Sequence, residues 1–240
     1  MKNRNWLMML LVLCVCSAGV KAGESAINFA PGAAMQVIVA IGKENAEDIR
    51  REYYNTAIPL ARSYGFSTVA RLKVDKSLVG NITAPVIVIG KWEDVDRWQA
   101  FQNDPRWPAL KAMRAKGWQQ LDLFTKALDS SLALNFSPDK FYTLAFASFN
   151  PEHPGDYTKY LHNIQAPLGE AGGKFIHKMI QPGFDTHSES AQQVSQITLV
   201  EWDSAEGLQQ LLTSPDYLKH KHLLETGVTD FAFLRVSAMD

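Results

Sequence analysis

The chain has 240 residues, of which 46% are hydrophobic and 20% charged, so it can form one large or two small packed domains and carries no composition for long disorder. Its formal charge is −1, with no basic stripe, which leaves no electrostatic footprint for nucleic acid. No apolar run reaches the roughly 20 residues that a membrane span needs.

The first 22 residues stand apart. Lys2 and Arg4 precede an unbroken apolar run from Trp6 to Val15, and Val20-Lys21-Ala22 offers small residues where a signal peptidase cuts. Residues 1–22 read as a secretory signal peptide, so the mature protein is expected in the periplasm or outside the cell. Both cysteines, Cys14 and Cys16, fall within it, which leaves a cysteine-free mature chain without disulfides, thiolate chemistry or cysteine metal sites. Removing three basic residues takes the mature charge to (24 − 3) − 25 = −4.

The next stretch begins with an apolar strand over Gln36–Ile41, followed by a helix from about Glu44 to Ser63 that stops at Gly65. Strands over about Phe66–Val74 and Pro85–Trp92 follow, joined by a polar loop. A second helix opens at Glu93 and is expected to break at Asp104-Pro105, because proline suits the first position of a fresh turn. A strand near Trp118–Lys126 ends the unit, and residues 129–139 read as a linker. The same order recurs: strand Phe141–Phe149, helix about Pro154–Ala171, strand Lys174–Gln181, strand Val194–Trp202, a second helix broken at Ser214-Pro215, and strand Val228–Val236.

The recurrence is also a recurrence of residues. Trp92-Glu93-Asp94-Val95-Asp96 matches Trp202-Asp203-Ser204-Ala205-Glu206 at an offset of 202 − 92 = 110, and Pro59-Leu60 matches Pro167-Leu168 at 108. The mature chain is therefore read as two βαββαβ units, residues 35–128 and 140–238. Each makes a four-stranded antiparallel sheet with two helices on one face. The bare faces need cover, and one chain with two copies can supply it by packing them together as an intramolecular α+β barrel. A monomeric pseudo-dimer or a homodimer is expected.

The second copy's Tyr157-x-x-Tyr160, Pro167, Gly172-Gly173-Lys174, Glu201-Trp202-x-Ser204 and Ser214-Pro215-Asp216-Tyr217 resemble the domain-of-unknown-function family 1330, of the ferredoxin-like, dimeric α+β barrel superfamily. The first copy departs from that pattern, with Lys91 for the glutamate and Asp104-Pro105-Arg106-Trp107 for the Ser-Pro-Asp-Tyr run. The resemblance implies the fold; the superfamily's members range from cofactor-free monooxygenases and isomerases to haem enzymes, so it does not choose a reaction.

No phosphate loop, nucleophile elbow or zinc-protease helix is present. His177 and Glu201 lie on adjacent strands of the second copy, on faces shared with Phe175, Met179 and Leu199, and a lumenal pair of this kind could act as a general base. Offset 108 puts Val69 at the place of His177 in the first copy, so any such site is single. Arg71 and Lys91 are further candidates, as positive charges for an anionic ligand. Asp185, His187 and Glu189 read as an exposed polar loop, and no metal or cofactor is expected because no histidine spacing singles out a ligand set. The tryptophans at repeat-equivalent places read as core anchors. The expectation is an exported protein that binds a small molecule in or near the barrel lumen; the alternatives are an oxygenase or isomerase using the His/Glu pair, and a protein-interaction module.

Overall fold

The computed structural model describes residues 26–187 and 193–239. The expected signal segment and Glu189 lie outside the described residues.

In chain order the elements are β1 (Ile27–Phe29), β2 (Ala34–Gly42), α1 (Glu47–Ser63), β3 (Phe66–Val79), β4 (Val86–Trp92), α2 (Val95–Gln102), α3 (Trp107–Gly117), β5 (Trp118–Ala127), β6 (Leu132–Leu134), β7 (Phe141–Phe149), α4 (Asp156–Asn163), α5 (Gln165–Glu170), β8 (Gly173–Ile180), β9 (Gly183–Thr186), β10 (Gln196–Trp202), α6 (Ala205–Thr213), α7 (Pro215–Gly227) and β11 (Val228–Ala238). The second helix of each copy is broken as forecast, although Pro105 lies in the turn before α3 and Pro108 takes the place in its first turn, and the first helix of the second copy, expected as one piece, is broken into α4 and α5 at Ile164. Ser214 caps α7 by accepting the Tyr217 N–H, with Pro215 at the first helical position. Gly65 and Gly172 end the first helix of each copy with φ of 85° and 76°, a conformation glycine takes without a Cβ penalty. The helix caps fall one residue after Glu93 and Asp203. Asp94 and Ser204 are the caps, accepting from Arg97 N–H and Gly207 N–H, while Asp203 pairs with Lys140.

Each copy has the ferredoxin-like strand order. The main sheet runs β8-β10-β7-β11-β3-β4-β2-β5-β9, so the second copy contributes β8-β10-β7-β11 and the first contributes β3-β4-β2-β5. The copies join edge to edge: β11 pairs with β3, and β9 with β5, both antiparallel. β8 and β9 are separated only by Gln181 and Pro182, with Gln181 at φ 49°. The strand therefore bends there and serves both ends of the ladder, which closes the sheet into a barrel and leaves the edges paired with kin.

Alternation sets what faces where. Along β2, Met35, Val37 and Val39 belong to the inner cluster, with Leu72, Ile89, Leu144, Met179, Leu199 and Leu234 from both copies. Ala34, Ile38 and Ala40 face the helices instead. The interior between the two copies is thus a shared apolar core, and the expectation of a ligand-holding lumen gives way to packing: buried aliphatic and aromatic side chains interdigitate there. β1 and β6, the latter inside the stretch expected to be only a linker, form a two-stranded strap whose Phe29 and Leu134 are each 1% exposed and seat in the same cluster.

Candidate functional site

The helix–sheet layers of the two copies are not alike. In the second copy Tyr157, Tyr160, Leu168, Val200, Trp202 and Leu211 belong to one continuous cluster between sheet and helices. In the first copy the corresponding side chains fall into two clusters, one around Trp92, Phe101 and Trp107 and the other around Tyr53, Trp118 and Leu121. A cavity of about 150 Å³ lies between them, floored by β2, β3, β4 and β5 and roofed by α1, α2 and α3. A wider vestibule adjoins it, bordered by Trp98, Trp107, Lys111 and the β9 residues Gly183–Asp185.

Substitutions at equivalent positions account for the opening. Sheet register pairs Thr68 with Gly90 in the first copy and Phe175 with Val200 in the second. Thr68, which borders the cavity, thus stands where the second copy packs a ring; the space over Gly90 is taken by the Phe66 ring, whose counterpart is Gly173. Offset 110 sets Arg114 against Leu224. Arg114 is 2% exposed. Its guanidinium lies 4.6 Å from the Trp107 ring centre, Nε donates to the Tyr53 hydroxyl at 3.1 Å, and Nη1 donates to Asp185 at 2.8 Å. Lys111 Nζ meets the other Asp185 oxygen at 2.7 Å. Burial alone would raise the Asp185 pKa, but the adjacent Arg114 and Lys111 charges outweigh it and hold the carboxyl below the ordinary aspartate value. Asp185 therefore comes from the second copy to complete the wall of the first copy's cavity. It sits in a strand, half-buried, where an exposed loop was expected. His187 beside it contacts the Trp118 carbonyl oxygen through Nε2 at 3.0 Å. Among the described residues no group of three metal-binding side chains occurs.

The sequence-derived candidates divide between the two faces of the sheet. Arg71 faces the helices and lines the cavity, near the Tyr54 phenol. His177, Glu201 and Lys91 face inward. His177 is paired in the ladder with Leu199, and Glu201 with Lys174 and Tyr142. No hydrogen bond joins His177 to Glu201. Glu201 instead lies 3.5 Å from the Tyr142 hydroxyl, whose pKa is raised to about 12, chiefly by burial. The His177 Nε2 is buried without a partner, and burial lowers the ring's pKa. A bulge in each second strand makes the offset there 107, so Ala70, not Val69, stands at the place of His177. Lys91 is occupied at the strap: Nζ donates to the Asn28 carbonyl at 2.6 Å and lies 5.7 Å from the Phe29 ring centre. Motif reading missed Trp92, Trp107, Arg114 and Asp185. The readable signal was Arg114 itself, a cation at a position where the other copy carries leucine.

No family model and no curated protein matches the chain. Solved structures do. An anthrone oxidase-like protein aligns over 87% of this chain and 91% of its own, at 9% identity and a TM-score of 0.52. That likeness and the strand order together decide the fold. The chain is a dimeric α+β barrel in one polypeptide. A chlorite dismutase variant from Candidatus Nitrospira defluvii aligns over 88% of this chain and 92% of its own, with 10% identity and a TM-score of 0.47. A protein of unknown function from Rhodopseudomonas palustris aligns with 44% of this barrel chain and 87% of its own, at 14% identity and a TM-score of 0.36. No helix of the barrel, among the described residues, is long and apolar enough to cross a membrane.

Proposed function

We propose that this barrel protein binds a small, largely apolar molecule between the helices and sheet of its first copy, while the interior between the copies serves as its core. The observation that carries the reading is the contrast between copies: the same layer is continuous in one and split around about 150 Å³ in the other. Cores close to native density seldom leave such a space without use. An apolar cavity of about this volume holds a benzene-sized guest. The second copy is the natural filled control.

Toluene is the test ligand. A concentration-dependent rise in melting temperature is expected, because a ligand that binds only the folded state stabilises it by mass action. Ala57, 2% exposed on α1 and lining the cavity, is the position to fill. Ala57→Leu is expected to raise the stability of the free protein by about 1 kcal/mol and to remove the toluene response. An unmoved melting temperature in the wild type would sink the reading.

The reading places this binding outside the cytoplasm, supported by the leader-like residues 1–22. Mass spectrometry of protein recovered from the exporting cell's periplasm or medium should find a chain beginning at Gly23; an intact Met1 start there would reject it.

A further inference from the structure

Trp92 is 2% exposed and borders the cavity, and its buried indole N–H has no acceptor. The second copy shows how the same group is met elsewhere in this molecule. Trp202 stands at the equivalent place and donates Nε1–H to the Thr143 hydroxyl at 2.9 Å. Ladder register puts Gln36 at the place of Thr143, since Trp202 pairs with Phe141 and Trp92 with Ala34. Gln36 turns away and donates its amide to the Thr125 hydroxyl at 2.7 Å. A buried donor without an acceptor costs free energy that an acceptor on a guest would recover.

A second polar group, half-buried, has no counter-charge. Arg71 lines the cavity near the Tyr54 phenol, and among the described residues its guanidinium has no carboxylate partner. The cavity's other cation, Arg114, is already committed to Asp185. Arg71 stands opposite Val88 in the ladder. Val88 and Trp92 are four residues apart on β4, about 13 Å at about 3.3 Å per residue. The two side chains therefore address opposite ends of the space, whose walls include Phe66, Phe101 and Trp107.

We propose that the guest is a monocyclic aromatic acid: its carboxylate pairs with Arg71, its ring lies among the aromatic walls, and an oxygen across the ring accepts the Trp92 N–H. The size admits one ring, the walls favour an aromatic one, and the free guanidinium selects an anion. This rests on the binding-cavity reading above.

The probes are para-hydroxybenzoate, its uncharged amide and toluene, followed by calorimetry and by the indole N–H proton resonances, with that of Trp92 assigned through Trp92→Phe. The wild type is expected to bind para-hydroxybenzoate at least about tenfold more tightly than the amide. Arg71→Met should erase that preference and Arg71→Lys should keep part of it. The Trp92 resonance should move downfield with para-hydroxybenzoate and stay with toluene. If toluene binds but the acid has no advantage over the amide, or the Trp92 resonance does not respond, the aromatic-acid proposal falls alone. If toluene does not bind either, the cavity reading falls with it.

Discussion

Asp185→Ala is expected to destabilise the protein by about 3–5 kcal/mol, the range for removing one partner of a buried ion pair. The loss is asymmetric in cause. Asp185 keeps a side-chain exposure of 23%, but Arg114, at 2%, has nowhere to turn. Without the carboxylate its guanidinium keeps a hydrogen bond to Tyr53 and the face of Trp107, and no counter-charge except what solvent can supply. Nearby Lys111 then adds repulsion. The site also lies on β9, the strand through which the second copy closes on β5, so the same change loosens the barrel seam and the cavity wall together. Equilibrium denaturation measures the loss. The double variant Asp185→Ala, Arg114→Leu should recover most of it, because leucine is what the second copy carries at that position and an apolar replacement of both partners leaves no buried charge. A double variant as unstable as the single one would show that the charge pair is not the cause.

The same pair sets a pH dependence with a defined sign. The folded-state pKa of Asp185 lies below its ordinary value. Its contribution is therefore present above the unfolded pKa of about 3.9 and is lost as pH falls through the lower folded value. The stability difference between wild type and Asp185→Ala should narrow on acidification through that window and stay constant above it.

Element order was legible because two signals agreed. Alternating and helical periodicity set the strands and helices, and the recurrence of Trp92 and Trp202 with their acidic followers fixed the repeat. The ladder that closes the barrel was only partly legible. That bare sheet faces must meet follows from their apolar residues, but β1, β6 and β9 are strands of three, three and four residues whose pairing partners lie far along the chain. Nothing local in Gly183–Thr186 announces that Asp185 will meet Arg114. The candidate cavity was illegible for a different reason. It is a difference between copies, with Thr68 and Arg114 standing where Phe175 and Leu224 stand, and a search for motifs looks for likeness. His177 and Glu201 share a face as alternation indicates, yet alternation carries no information on the bulge at Ile176, which turns Phe175 to the helix side, or on the ladder register that sets Tyr142 beside Glu201.

Gly207→Ala should lower stability by about 3 kcal/mol, against the usual direction for a helix interior, where the same change gains about 1 kcal/mol from reduced chain entropy. A Cβ at Gly207 would lie 2.1 Å from the Ala171 carbonyl oxygen. That atom is backbone at the end of α5, so neither helix can yield by turning a side chain. The clash outweighs the entropic gain, and α6 must move off the sheet. The first copy displays the relaxed alternative. Its equivalent residue is Arg97, exposed and paired with Glu93 at 2.8 Å, so α2 is not held to the end of α1 by a glycine contact. The close approach of α6 to the end of α5 thus depends on a residue without a Cβ at position 207. Denaturation of Gly207→Ala beside the control Gly169→Ala, where a Cβ meets nothing within 4 Å, measures the effect. Equal stability of the two variants would refute the contact's role, and a rise in toluene capacity of Gly207→Ala would show that a second pocket opens when the helix is pushed away.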